Sequence, residues 1–594
     1  MDRLSRSVEQ IRDHYDVVVV GSGYGGGIAA SRLSRAGRSV CLLERGREIQ
    51  PGEYPDTLPE ATRELQATTN DGHVGSHLGM FDFHVHPDMS ALVGCGLGGT
   101  SLINANVSIK PDKRVFEQPR WPVALRDRAV LDPHYELARA MLRPEPYPTG
   151  KPGYPQLPKL NAQKVSAAYL KQAQPGQPAD FKLTDINVNF TVNGKNHVGT
   201  DQKPCNNCGD CVSGCNVGAK NTTLMNYLPD ARNHGAEIFT QCSVQYVEKE
   251  PDGAWTVHFD WVGSGRGEFN APPMFVRASV VILSAGTLGS TEIMLRSRAN
   301  GLPASDRVGD HFSGNGDVLG FAYDCKPIIE GIGYGHKKPD PKKPVGPCIT
   351  TVIDRTATAQ VEDGTIIEEG SVPGAIGRLL PVAFAAADAV LGKDDTPTFG
   401  HRVRELEQTL ESVLLGSHKG ADERTQTYLV MAHDGGDGRL LLEDDRLRIH
   451  WPGVGKKPIF QAINQELEDA TKPLEGCYVE DPIWAKTLGS NLVTVHPLGG
   501  CAMADDAAQG VVNDRGQVFS GPAGSAVHEG LYVTDGSVIP TSLGVNPLFT
   551  ISAVSERNVA LLARSAAGAS TTRSPPRSPP TGPRPSPGCA SPRP

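Results

Sequence analysis

The chain has 594 residues, 38% of them hydrophobic and 21% charged, enough for two or more domains around a large buried core. Its formal net charge of -9 argues against broad nucleic-acid binding and gives no sign of a basic membrane-binding patch. No apolar run reaches the roughly 18 residues of a membrane span, and the polar stretch from Met1 to His14 lacks the apolar core of a secretory signal, so a cytoplasmic location is expected. The 12 cysteines are not spread like the disulfide framework of a small secreted domain.

The first strong element is an apolar, β-branched run, Tyr15 to Val20, that ends in Gly21-Ser22-Gly23-Tyr24-Gly25-Gly26. A crossover helix is expected from Ile28 to Ala36, capped by Gly37, and a second strand from Arg38 to Leu43 ends at Glu44. This is a dinucleotide-binding βαβ unit. Gly21 allows the tight turn, Gly23 admits the pyrophosphate close to the backbone, and Gly26 lets helix and strand pack closely. The phosphates then sit at a helix N-terminus, where free N–H groups and the dipole favour negative charge. Glu44 is placed for ribose hydroxyls, and its carboxylate would repel a 2′-phosphate.

A second glycine cluster, Gly94-Cys95-Gly96-Leu97-Gly98-Gly99-Thr100, continues to Asn104 and Asn106. It implies backbone pressed against something flat or large, for which an isoalloxazine ring is a good candidate. Cys205, Cys208, Cys211 and Cys215 then follow the C-x2-C-x2-C-x3-C spacing of a bacterial ferredoxin loop. Against a direct transfer, Asn216 stands where the ferredoxin run has proline, and no second motif occurs. An iron–sulfur cluster, a zinc site and metal-free thiols are the three readings. Strands are expected at Ser279 to Leu283 and Gly530 to Gly536, both ending in small residues or an acid as buried parallel strands do. Between them, Asp310 to Asp481 lacks a βαβ rhythm and shows hairpin-like alternation at Arg439 to Glu443 and Leu447 to Trp451. It reads as an antiparallel sheet with helices and as the natural place for substrate. Asn546-Pro547 suits a helix cap and first turn ahead of an amphipathic helix from Leu548 to Ala563. From about Ala566 the chain turns to Ser, Pro, Arg and Gly and is expected to be disordered.

The glycine cluster at Gly94 to Asn106 resembles the first signature of the glucose–methanol–choline (GMC) flavoprotein oxidoreductases. Val281 to Ser290 is similar to that family's second segment, and the likeness extends to Val495-His496-Pro497-Leu498-Gly499-Gly500-Cys501, to Tyr532 through Pro540, and to Gly544 through Thr550. Within the family, the last two blocks look most like the bacterial cholesterol oxidases with non-covalent FAD. The resemblance implies an α/β fold: a discontinuous Rossmann-like FAD-binding domain with an interleaved α+β substrate domain built on an antiparallel sheet. On this reading, FAD-binding parts fall at 1–120, 225–309 and 482–565. An excursion at 121–224 carries the cysteine loop (205–215), the substrate domain covers 310–481, and 566–594 is the tail.

The cofactor implied is FAD, with an iron–sulfur cluster as a possible second. By resemblance, Gly21, Gly23, Gly25 and Gly26 cradle the pyrophosphate and Glu44 holds the ribose. Gly99 and Asn104 approach the flavin, Val244 lies near the adenine, Gly286 and Asp535 line the nucleotide, and Phe549 belongs to the same site. Alcohol oxidation sends a hydride to the flavin and the hydroxyl proton elsewhere, and a histidine can accept that proton. In the family, the residues matching His496 and Asn546 face the substrate hydroxyl. Cholesterol oxidases also shift the steroid double bond with a carboxylate base, for which Glu423 is the preferred candidate by its position ahead of the strand at Tyr428. The implied function is oxidation of a sterol 3β-hydroxyl or similar bulky secondary alcohol, with oxygen as acceptor. One alternative is a dehydrogenase that passes electrons through a cluster to an electron-transfer protein, and another is a flavin- or sterol-binding protein without turnover. No nucleic-acid partner and no membrane span are expected.

Overall fold

The structure, a computed structural model, describes residues 2–69, 72–263, 273–375, 422–480 and 492–570. Its largest sheet has 8 strands and gathers segments from the start, middle and end of the chain. His14–Val20 lies at its centre, parallel to Val40–Leu43 on one side and to Met274–Leu283 on the other. Glu237–Phe239 extends one edge in parallel, and Val527–Val533 lies parallel beyond the C-terminal half of Met274–Leu283. Residues 17–20, 40–43 and 281–283 of these strands are buried on both faces, which explains their runs of Val, Ile and Leu. The N-terminal half of Met274–Leu283 pairs instead with an antiparallel hairpin, Cys242–Lys249 and Trp255–Trp261.

The expected crossover helix forms as Tyr24–Arg35, and a glycine with φ +77° at Gly37 follows it. The chain leaves the central strand toward opposite sides, so the sheet has its topological switch point between His14–Val20 and Met274–Leu283. The turns at Gly21 and Ser284 therefore lie side by side at the carboxyl ends of the strands, the usual binding crevice of such sheets.

The second sheet has 6 strands in the order Cys477–Glu480, Val318–Tyr323, Gln426–Met431, Ile366–Gly370, Thr351–Asp354, Asp180–Leu183. Every pairing in it is antiparallel. Its last edge strand comes from the excursion that precedes the cysteine-loop, not from the later segment that supplies the others. Helices Pro158–Ala173 and Pro458–Thr471 pack together beside this sheet, joined where Ser166 Oγ donates to the Ala470 carbonyl at 2.6 Å. The hairpin expected near residue 440 forms as Arg439–Glu443 with Arg446–His450, but as a separate 2-stranded sheet. A 5-stranded sheet completes the core, and in it Leu492–Thr494 runs parallel to Met89–Gly94. The C-terminal helix runs from Leu548 to Ser570, past Ala566 where a disordered tail was expected to begin; residues 571–594 lie outside the described residues. Among the described residues no helix is long and apolar enough to cross a membrane.

Candidate active site

The two glycine clusters and the switch point enclose one cavity of about 610 Å³. Gly21 has φ +93°, and a Cβ there would lie 2.3 Å from the Ser284 carbonyl oxygen, so only glycine lets the two turns touch. A Cβ on Gly26 would lie 2.0 Å from the Gly21 carbonyl oxygen, which fixes the role expected for it in helix packing. Gly25 serves packing as well, since its Cβ would meet the Thr534 carbonyl oxygen at 1.6 Å. Gly23 is different: a Cβ there would meet nothing within 4 Å, and its face is open to the cavity. A phosphate can approach the backbone there. Gly99 is in the left-handed region at φ +54° and lies over Gly23, closing the two clusters on each other.

Glu44 lines the cavity but is not free. Its Oε2 accepts from the Ser22 amide (3.1 Å) and hydroxyl (2.5 Å), and its Oε1 from the Gly46 amide (2.8 Å). Burial pushes its carboxyl above the usual range, while these donors pull it back. The acid thus braces the glycine turn, with lone pairs left for ribose hydroxyls. Asp535 is a second brace. It accepts from the Gly286 amide (2.9 Å), the Ser290 hydroxyl (2.5 Å) and both donors of Ser537, and so stitches together the turns after two parallel strands. Val244 and Gly286 line the same cavity. Phe549 does not: its ring is fully buried between Tyr135, 4.9 Å away centroid to centroid, and the Arg139 guanidinium at 5.5 Å. Leu548 and Ile551 face the cavity instead, and the helix phase turns Phe549 into the core.

The residues fit a flavin dinucleotide. Asn104 lines the cavity and donates through Nδ2 to the Tyr24 hydroxyl at 2.8 Å, while its buried Oδ1 has no partner within the protein. The Asn546 Oδ1 is also buried and without a protein partner. Asn546 therefore does not cap its helix. Its Nδ2 turns toward Glu368 Oε2 at 3.3 Å. The open Gly23 face and these two unpartnered acceptors form a cradle suited to a polar ligand.

His496 follows Leu492–Thr494 and reaches the cavity wall together with Asn546 and Pro547. Its Nδ1 lies 2.8 Å from Asp317 Oδ1. The structure thus brings together the two residues expected to face a substrate hydroxyl, although they are far apart in sequence.

Glu423 is not brought to them. It sits in a surface 3-10 turn, Asp422–Arg424, half exposed, with its Oε1 2.8 Å from Lys343 Nζ. The carboxyl group that meets Asn546 is Glu368, on the strand Ile366–Gly370, fully buried behind the cavity wall. Burial, and then the neighbouring Glu369 and Asp317, push its carboxyl well above the usual range. Glu369 points to the opposite face of the strand, where it accepts from the amides and hydroxyls of Thr350 and Thr351 and pairs with buried Lys159 at 3.5 Å. The sequence signal for Glu368 is slight: two consecutive acids directly after the apolar pair Ile366-Ile367.

The cysteine loop does not form a ligand shell. Among the described residues no three His, Cys, Asp or Glu side chains could hold a metal ion together. The loop is tied by the polar residues between and after its cysteines. Asp210 accepts from the amides of Gly335 (3.0 Å) and Gly374 (2.9 Å), and Asn216 accepts from the amides of Gly52 and Tyr54, both at 2.9 Å. Burial pushes the thiols of Cys205, Cys208 and Cys211 up, that of Cys211 to about 12. Buried Lys220 joins this loop to the flavin-facing segment: its Nζ donates to the carbonyls of Leu102 (3.0 Å), Asn104 (2.5 Å) and Cys211 (2.9 Å).

A Rossmann-like sheet with a second glycine cluster, a substrate sheet over it and a histidine–asparagine pair at the junction define a flavin-dependent oxidoreductase acting on alcohols. Sequence profiles of the GMC oxidoreductases match residues 25–314 and 458–555, and the chain belongs to that family. It is 28% identical over 584 residues to a cholesterol oxidase of Mycobacterium tuberculosis, covering 93% of this chain and 91% of that one. It is 26% identical to a cholesterol oxidase of Acinetobacter baumannii, covering 91% and 93%. A long-chain-alcohol oxidase of Arabidopsis thaliana is 22% identical, covering 91% of this chain and 66% of its own. Among solved structures, a fungal aryl-alcohol oxidase superposes with a TM-score of 0.55 at 14% identity, covering 94% of this chain and all (100%) of its own.

Proposed function

We propose that this enzyme oxidises the 3β-hydroxyl of a sterol, or a similarly bulky secondary alcohol, to a ketone with oxygen as the final acceptor. The observation that carries the reading is the placement of His496 and Asn546 on the wall of the cavity that the dinucleotide turn opens into, with buried Glu368 bonded to Asn546 behind that wall. The sterol preference draws its support from the cholesterol oxidases that match this chain over nearly their whole length.

Bound FAD supplies the hydride acceptor. The chain supplies the rest. The Gly23 face and the N-terminus of Tyr24–Arg35 hold the pyrophosphate, and Gly99 and Asn104 form the surface for the ring. The N-terminus of Leu548–Ser570 offers a positive dipole end to the negative charge that reduction brings. With His496 Nδ1 engaged by Asp317, Nε2 is the nitrogen that takes the hydroxyl proton as the hydride leaves the carbinol carbon. Asn546, held through Nδ2 by Glu368, presents Oδ1 to the same region.

Glu368 takes the role first assigned to Glu423. In a ketone with a β,γ double bond, its carboxylate removes the proton from the carbon between ketone and alkene. The resulting carboxylic acid returns that proton to the far alkene carbon, so the double bond moves and no redox partner is consumed. The raised pKa makes the ionised form a stronger base than an ordinary carboxylate.

The test is anaerobic. The purified flavoprotein is mixed with 3β-hydroxysterols and with primary long-chain alcohols, and flavin absorbance is followed before and after air is admitted. Bleaching by sterols and peroxide on re-oxidation are expected. Bleaching by long-chain alcohols alone overturns the sterol assignment, and bleaching without peroxide in air overturns oxygen as acceptor. The absence of bleaching with any alcohol overturns the roles of His496 and Asn546.

A further inference from the structure

Asp317 immediately precedes the substrate-sheet strand Val318–Tyr323, yet its carboxylate reaches into the segment that carries His496. It is almost wholly buried. Its Oδ2 accepts from the Val495 amide at 2.8 Å and the His496 amide at 3.1 Å, and lies 3.0 Å from the Thr494 hydroxyl, whose one hydrogen it shares with the Gly314 carbonyl at 2.9 Å. Its Oδ1 is left facing a single partner, His496 Nδ1, at 2.8 Å. One carboxylate therefore fixes both the backbone that carries the histidine and the edge of its ring.

The geometry points to Asp317 as the positioning residue that sets the tautomer of His496. A carboxylate oxygen accepts hydrogen bonds, so the nitrogen facing Oδ1 carries the ring hydrogen. That leaves the lone pair on Nε2, at the cavity, and makes His496 an acceptor for the substrate proton. After the proton arrives, the same carboxylate faces the imidazolium. The logic is that of an acid behind a catalytic histidine, which orients and stabilises without itself changing protonation. This inference rests on the proposed role of His496 as proton acceptor.

The arrangement predicts an unusual effect of Asp317→Asn. An asparagine has one acceptor oxygen and one donor nitrogen. The backbone amides of Val495 and His496 can only donate and claim the oxygen, so the amide NH2 must face Nδ1. Nδ1 can then only accept, and the hydrogen moves to Nε2. The two amide anchoring bonds survive, but the histidine presents a donor where it presented an acceptor.

Two measurements test this. In wild-type enzyme with 15N-labelled histidine, the His496 resonance, assigned by its loss in His496→Gln, is expected to report the Nδ1–H tautomer. In Asp317→Asn it is expected to report Nε2–H. With FAD content and KM within about threefold of wild type, kcat of the variant is expected to fall by about 10² to 10⁴, the range of a lost general base. An Nε2–H tautomer in wild type overturns the inference whether or not the variant folds. So does a kcat in Asp317→Asn within threefold of wild type. Because the tautomer is read in the unreacted enzyme, it stands or falls separately from the alcohol reading, which fails only if alcohols do not bleach the flavin.

Discussion

Glu368→Gln isolates the cost of burying a carboxyl group against Asn546. The substitution keeps shape and hydrogen-bonding capacity and removes only the titration. Free glutamate ionises near pH 4.5, and burial with Glu369 and Asp317 nearby holds the folded Glu368 well above that. Below about pH 4 both folded and unfolded chains keep the proton, and wild type and variant are expected to have equal stability. As pH rises through the unfolded value, the unfolded chain releases its proton while the folded chain retains it. Wild type then loses stability by about 1.4 kcal/mol for each pH unit, until the folded carboxyl itself ionises. The glutamine variant escapes this loss, so it is expected to become the more stable protein as pH rises from 5 toward 7. The assay is guanidinium unfolding of both proteins across pH 4 to 7, with the difference in unfolding free energy plotted against pH. A flat difference, or one in which wild type gains with pH, would refute the claim that Glu368 is held neutral by burial. In activity, the variant should bleach flavin with alcohol but no longer move the double bond of a β,γ-unsaturated ketone.

Other consequences can be checked directly. His496→Ala should lower kcat by about 10² to 10⁴ with unchanged flavin content, measured by stopped-flow reduction. Gly26→Ala places a Cβ 2.0 Å from the Gly21 carbonyl oxygen, so it should yield protein without bound FAD, read from the visible spectrum. Lys220→Met leaves the carbonyls of Leu102, Asn104 and Cys211 without their donor. It should cost about 3 kcal/mol or more of stability and weaken FAD binding, measured by thermal unfolding and flavin titration. Replacing Cys205, Cys208, Cys211 and Cys215 by serine should change neither the iron content nor the visible spectrum, because the loop is held by Asp210 and Asn216; loss of stoichiometric iron in the variant would contradict this.

Local patterning made the nucleotide half legible. The Val17 to Val20 run and the Gly21 turn are contiguous, Glu44 closes the next strand, and Gly21, Gly25 and Gly26 answer steric demands at this turn or the adjacent ones. The separate strands near Val281 and Leu531 were readable for the same reason, since strands buried on both faces must be apolar throughout. The carboxylate at the site was harder. Glu423 and Glu368 both flank the Gln426–Met431 region in some sense, one along the chain and one across the sheet, where Glu368 is the register partner of Leu429. Only the pairing of strands could tell them apart. The cysteine loop shows the converse: its spacing mimics a cluster motif, but Asp210 and Asn216 bond to loops far away in sequence and set the conformation.

By itself, the sequence determined the dinucleotide turn, the family resemblance and the pair His496 and Asn546, because these depend on local backbone geometry and on residue types that only a narrow chemistry requires. The tertiary structure decided which carboxylate meets Asn546, which face Phe549 turns away, and how Asp317 holds the ring of His496. Those outcomes depend on strand register, helix phase and burial, through which residues remote in the chain become each other's solvent.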